Sequence, residues 1–336
     1  MTAVNRVAMG KKAIVVLVVS WALVSLHLAE AQETKKVPRV GSLLAGSRSA
    51  ARENVEGFRR GLRDLGYIEG KNILVEYRYG EGNTERFPSL VAELVQLKVD
   101  VLVTGSLTVI RAAKQATETI SIVMVILDDP VATGIVESLA HPGGNVSGLS
   151  ILSRELSGKR LELLKEVVPR MSRVGVLRDA NNPGGAIGFK EYESAARALK
   201  IPLQSLEVRS PNPDFEGAFQ AAAKGHANAL ITIRSGITSV YRKQIADLAI
   251  KNRLASMYEA SDDVGAGGLM SYSANYAESF YRAATYVDKI LKGTKPADLP
   301  VEQPTKFEFV INLKAAKQIG LTIPQSVLYR ADKVIK

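Results

Sequence analysis

The turn Gly105-Ser106-Leu107-Thr108 combines the residue types best suited to holding an anion. Glycine lets backbone approach a ligand, the first N–H groups of a following helix lack intrahelical partners, and two hydroxyls stand beside them. A carboxylate placed there gains about 0.3 to 2 kcal/mol from the helix terminus, besides its hydrogen bonds. The alternative is that Ser106 or Thr108 simply caps the helix, and the two roles are compatible. Asp179, Asn181 and Asn182 occupy the matching turn in the second half of the chain, where an acid and two amides suit an ammonium or hydroxyl group. Asn-Asn-Pro-Gly-Gly is also an ordinary turn sequence, and Asn181 is a good helix cap. Glu259 and Asp262 are acidic candidates with the alternative role of surface caps. Tyr258 and Tyr272 offer ring faces to an aromatic ligand, although core packing is the commoner use of a strand tyrosine.

Bond-breaking chemistry has little support. His141 and His226 are the only histidines beyond the first 31 residues, and neither stands beside a plausible nucleophile. There is no Gly-x-Ser-x-Gly elbow, no Gly-Lys-Ser/Thr phosphate loop, and no correctly placed dinucleotide fingerprint. The acidic pairs Asp128-Asp129 and Asp262-Asp263 are adjacent, so in an extended loop their side chains diverge instead of sharing a reacting atom. Metal ligation lacks both cysteine and clustered histidine. The expectation is a binding protein that needs no cofactor.

The elements that position these residues repeat. Arg39-Val40-Gly41 opens one unit and Arg173-Val174-Gly175 opens another, each followed at one offset by a helical apolar face: Val55, Phe58, Leu62, Leu65, then Phe189, Tyr192, Ala196, Leu199. The first unit reads as strands 40–44, 73–79, 101–104, 122–126 and 146–150, alternating with helices 52–65, 85–97, 108–116 and a short 131–139. The second reads as strands 174–177, 203–208, 229–233, 256–258 and 269–273, with helices 187–199, 214–223 and 239–252 after a linking helix 155–168. Runs such as Val101-Leu102-Val103 and Ile122-Val123-Met124-Val125-Ile126 are apolar throughout, as strands are when helices cover both faces of a parallel sheet. The fold class is therefore α/β: two similar lobes, each a parallel-sheet, Rossmann-like unit with helices on both faces, joined by hinge crossings. Lobe 1 is placed at 38–154, lobe 2 at 155–275, a helix returning to lobe 1 at 276–296, and a crossing with a C-terminal strand and helix beside lobe 2 at 297–336.

In such sheets ligands sit beyond the carboxyl ends of the strands. The rule adds Ala45, Gly46 and Ser47 after the first strand, Asp128 after the fourth, and Ser235 in the Arg234-Ser235-Gly236 turn, completing the candidate set.

Residues 1–31 carry Arg6, Lys11 and Lys12, the apolar run 13–26, and Ala29-Glu30-Ala31, the form of a cleavable leader cut before Gln32. The run is short of the ~20 apolar residues a spanning helix needs. Without this segment the 44 basic and 34 acidic residues fall to 41 and 33, a net charge of +8. The basic residues are scattered along the helices with no run, which argues against nucleic acid as a partner. The absence of cysteine also excludes a lipid-modified cysteine at the leader junction and fits an unanchored protein held in a periplasm.

Four stretches carry a family likeness: Leu65-Gly66-Tyr67-Ile68-Glu69-Gly70-Lys71-Asn72, Asp129-Pro130-Val131, His141-Pro142-Gly143-Gly144-Asn145-Val146-Ser147-Gly148, and Ile311-Asn312-Leu313-Lys314-Ala315-Ala316-Lys317 with Gly320-Leu321-Thr322-Ile323-Pro324. Together they resemble the ABC-transporter substrate-binding protein family whose best-known members bind tryptophan and related aromatic amino acids. The resemblance implies a type I periplasmic binding protein: a monomer with two lobes and three crossings that captures a small-molecule ligand by hinge closure and delivers it to an inner-membrane ABC permease. A ligand sensor for a membrane receptor shares this fold, and a periplasmic enzyme is the remaining alternative. A repressor core would carry an N-terminal DNA-binding helix pair where this chain has a leader.

Overall fold

Continuously apolar runs become interior strands because helices cover them from both sides. The computed structural model describes residues 36–151 and 153–336, and the expected leader at 1–31 lies outside them. The first sheet runs β2-β1-β3-β4-β5 and is parallel throughout, from β1 (Arg39–Leu44), β2 (Leu74–Tyr79), β3 (Val101–Thr104), β4 (Ser121–Ile126) and β5 (Val146–Ser150). Val101, Val103, Val123 and Val125 point to one face, under α1 (Arg52–Asp64); Leu102, Ile122, Met124 and Ile126 point to the other, under α2 (Phe87–Gln96) and α3 (Leu107–Ala116). Each such fully buried side chain contributes about 1.5 to 3 kcal/mol relative to exposure.

The second sheet runs β12-β11-β10-β9-β8-β6-β7. It comprises β6 (Val174–Asp179), β7 (Leu203–Val208), β8 (Ala229–Thr232), β9 (Ala255–Tyr258), β10 (Met270–Ser273), β11 (Glu308–Asn312) and β12 (Lys333–Ile335). Only the β10–β11 pairing is antiparallel. The order β7-β6-β8-β9 reproduces β2-β1-β3-β4, so the repeated Arg-Val-Gly triplets mark the same interior strand in both sheets. This sheet is flanked by α4 (Ser157–Val167), α5 (Pro183–Leu199), α6 (Phe215–Lys224), α7 (Gly236–Val240), α8 (Arg242–Lys251) and α9 (Ser261–Gly265).

The chain passes between the sheets after β5, with Ser153 in that passage, and again within 274–275 and 303–307. The second passage leads into α10 (Tyr276–Leu291), which returns to the first sheet and lies along α1. The two helices approach at Gly57 and Gly61, where an added Cβ would stand 2.2 Å from Ala277 O and 2.4 Å from Tyr281 O. Before the third passage, Glu302 N–H bonds Gly148 O at 3.0 Å, tying the returning segment to β5. Between β11 and β12 lie α11 (Leu313–Gln318) and α12 (Gln325–Leu328).

Three expected helices differ. Residues 131–139 form turns, because Asp129 Oδ1 accepts the N–H groups of Val131 and Ala132 and Gly134 adopts φ +70°, which together close the chain before a helix can propagate. The helix expected at 187–199 begins at Pro183, with Asn182 accepting Gly184 N–H. The one expected at 239–252 divides at Tyr241 because a reciprocal Ser235/Thr238 cap starts α7 early. Among the described residues no helix is long and apolar enough to cross a membrane.

Candidate functional site

The loops beyond β1, β3, β4, β6 and β8 converge on one cavity of about 730 Å³, its mouth included. Seven of the residues singled out in the sequence line it: Ala45, Gly46, Gly105, Ser106, Asp128, Asn182 and Ser235. Lobe-to-lobe contact closes it on one side. A Cβ on Gly236 would stand 2.8 Å from Ala45 O, so only glycine permits this approach without displacement.

Ser106 is the cap of α3, its Oγ accepting Val109 N–H at 3.5 Å. The N–H groups of Leu107 and Thr108 have no carbonyl to bond within the helix, so capping leaves the anion-receiving edge in place. Asp128, buried after the neighbouring strand β4, also lines the cavity. Phe280 and Tyr276 form an aromatic wall from α10, with the Phe280 ring 3.4 Å from where a Gly105 Cβ would lie.

Arg234 is the cavity's guanidinium and is already engaged. Its Nη1 and Nη2 bond Asp262 Oδ1 and Oδ2 at 2.8 and 3.1 Å, Asp263 lies at 3.7 Å, and its plane sits 4.6 Å from the Tyr276 ring centre. Burial opposes its charge, but the two aspartates outweigh that and raise its pKa above the ordinary arginine value. Burial, then the charge of Asp262, pushes the Asp263 carboxyl up to about 7. Burial acts on Asp262 in the same sense, but Arg234 and Arg242 hold its pKa below the usual range. The cavity therefore offers an anion the α3 terminus, and a cation Asp128, while Arg234 serves as a neutralised, flat wall.

The other eight candidates lie off the cavity lining, and one of them, Tyr258, is buried in the hydrophobic core beside the second sheet. Ser47 caps its own loop, accepting Ala50 N–H at 3.2 Å, and faces a neighbouring groove. Thr108 Oγ1 is buried without a hydrogen-bond partner. Asp179 accepts the N–H groups of Asn181 and Ser210 at 3.0 and 3.5 Å, and Asn181 Nδ2 donates to Ser210 O at 2.8 Å, so both brace the loop after β7. Burial raises the pKa of Asp179. Asp262 reaches the cavity only through Arg234.

Glu259 and Tyr272 belong to the crossings between the two sheets. Arg160 is fully buried, donating to Ser153 O and Oγ in the first passage at 2.6 and 2.8 Å and to Tyr272 O, beside the second, at 2.8 Å. Its counter-charge is Glu259, at 3.5 Å and also fully buried, whose other oxygen accepts Arg234 N–H at 2.9 Å. The Tyr272 ring lies 6.0 Å from Phe307 of the third passage. One buried ion pair thus ties two crossings to the cavity loop. Arg234, Tyr276 and Phe280 went unselected in the sequence; the signal for Arg234 was a basic residue among otherwise neutral or acidic strand-end turns.

The chain matches the family described as ABC transporter substrate binding protein over residues 44–335, and it belongs to that family. It is 25% identical over 290 residues to a tyrosine-binding protein of Clostridioides difficile (strain R20291), covering 86% of this chain and 83% of that one. A conserved domain protein from Vibrio cholerae has the same fold with a TM-score of 0.82 at 28% identity, covering 89% of this chain and 100% of that one. An ABC domain from Streptococcus pneumonia in complex with L-Trp gives 0.81 at 24% identity, covering 89% and 99%. The two-sheet architecture is that of type I periplasmic binding proteins.

Proposed function

From membership of a family of non-enzymatic substrate-binding proteins and the cavity just described, we propose that the chain captures an aromatic amino acid between its lobes and delivers it to an inner-membrane ABC permease. The carrying observation is that one cavity brings together the α3 terminus for a carboxylate, buried Asp128 for an ammonium group, and the Tyr276/Phe280 wall for a ring. The names of the tyrosine-binding relative and the L-Trp complex support the same ligand class. In this reading lobes 38–154 and 155–275 rotate about the crossings; 276–296 moves with the first lobe and 297–336 spans back to the second. A ligand touching both lobes favours the closed state by its differential affinity. A micromolar dissociation constant requires about 8 kcal/mol, within reach of a few hydrogen bonds, an ion contact and a buried ring.

Export to a periplasm by removal of residues 1–31 belongs to the same proposal, and an N-terminus at Gln32 in protein recovered from that compartment tests it. For the ligand, calorimetric titration with L-tyrosine, L-tryptophan and L-phenylalanine is expected to give saturable binding, with L-leucine and glucose at least tenfold weaker. Absent binding of all three aromatic amino acids, or binding no tighter than that of L-leucine and glucose, would reject the assignment.

A further inference from the structure

We infer that Asp262 is a positioning residue whose single carboxylate assembles two contacts between the lobes: the guanidinium wall of the cavity and a latch outside it. Asp262 Oδ2 is shared by Arg234 Nη2 at 3.1 Å and Arg242 Nη1 at 2.8 Å. Arg234 reaches Tyr276, the first residue of the helix packed on α1, so this arm meets the first lobe inside the cavity. Arg242 does not line the cavity. Its Nε is fixed by Ser239 O at 2.9 Å, and its Nη2 donates to Ala50 O, across the cleft at the start of α1, at 2.9 Å.

Parting of the lobes must break the Arg242–Ala50 bond. Without Asp262, Arg242 keeps its tether to Ser239 but loses the charge partner that aims its outer nitrogens, and Arg234 loses its bidentate clamp. Asp262 therefore links cavity geometry to closure without touching the ligand. This goes beyond the ligand class and rests on the closure reading, so its test uses ligand-free protein.

The chain contains no cysteine, and a Cβ on Gly46 would stand 3.9 Å from Ser239 Cβ across the cleft. That separation lies within the roughly 3.5 to 4.5 Å of disulfides, so a Gly46→Cys/Ser239→Cys pair forms a disulfide only when the lobes are closed. Under an excess of diamide, the rate of disulfide formation reads the closed population. In this background, Asp262→Asn and Arg242→Gln are each expected to slow trapping about tenfold, the scale of one hydrogen bond to a charged group. Arg242→Lys should recover part of the loss, and Lys243→Gln, next in sequence but outside the latch, should leave the rate unchanged. Circular dichroism confirms that each variant is folded; should Asp262→Asn fail to fold, Arg242→Gln decides. Trapping by folded Arg242→Gln at the parental rate overturns the inference, whatever ligand the cavity takes.

Discussion

Replacing Glu259 by Gln tests the buried ion pair at the hinge. The substitution preserves shape but leaves the Arg160 guanidinium buried without its counter-charge, while Ser153 O, Ser153 Oγ and Tyr272 O remain as acceptors. Breaking such a pair from one side costs about 3 to 5 kcal/mol. With roughly 2 to 4 °C per kcal/mol for a chain of this size class, the melting temperature should fall by about 6 °C or more. Arg160→Met should cost as much, because it leaves Glu259 charged and removes the donor shared by two passages. The double variant Arg160→Met/Glu259→Leu should recover a large part of the loss, since the penalty lies in the unpaired charge more than in the pair's net attraction. Denaturation of the parent, Glu259→Leu, Arg160→Met and the double variant closes a double-mutant cycle and gives the coupling directly. Single substitutions costing less than about 1 kcal/mol, or additive losses, would refute the reasoning. Because Glu259 also accepts Arg234 N–H, ligand affinity should fall in Glu259→Gln even at temperatures where the fold is intact.

Three further outcomes follow from the same structure. Asp263 titrates near 7 in the fold, above its unfolded value of 3.8, so the folded state holds an extra proton between those values. The resulting stability is present below about 4 and declines as pH rises through about 7, at up to about 1.4 kcal/mol per pH unit. Asp263→Asn should flatten the melting temperature measured from pH 5 to 8, and an unchanged profile would contradict the placement. Gly57→Ala drives a methyl into Ala277 O at the α1–α10 contact and should destabilise by about 1 to 3 kcal/mol in denaturant titration. Asp128→Asn should weaken binding of an aromatic amino acid about tenfold or more, as loss of a hydrogen bond to a charged group does. It should leave the affinity of the same compound lacking its amino group nearly unchanged, a comparison made by calorimetry.

The sheets were legible because their signal is local. Val101–Thr104 and Ile122–Ile126 are apolar on both faces, which only a covered parallel strand tolerates, and the second Arg-Val-Gly triplet announced the second copy of the strand order. The cavity was half legible for the same reason: strand-end loops fix its position. Which polar side chain turns inward is decided by partners far along the chain. Glu259 looks like a ligand acid until Arg160, 99 positions earlier, claims it, and Asp179 until Ser210 does. Tyr276 and Phe280 fall on the apolar face of an amphipathic helix, where packing and ligand contact leave the same periodicity. The turns at 131–139 show the opposite limit, with one aspartate side chain and one left-handed glycine overriding an apolar pattern.

Two lobes that close on an aromatic amino acid and leave it unchanged become more compact when it binds. Small-angle scattering of the purified protein, with and without saturating L-tyrosine or L-tryptophan, tests this most directly. The expected result is a smaller radius of gyration with at least one of the two, reversed on dialysis with the amino acid recovered intact. Curves identical under both additions, or a chemically altered amino acid, would contradict it.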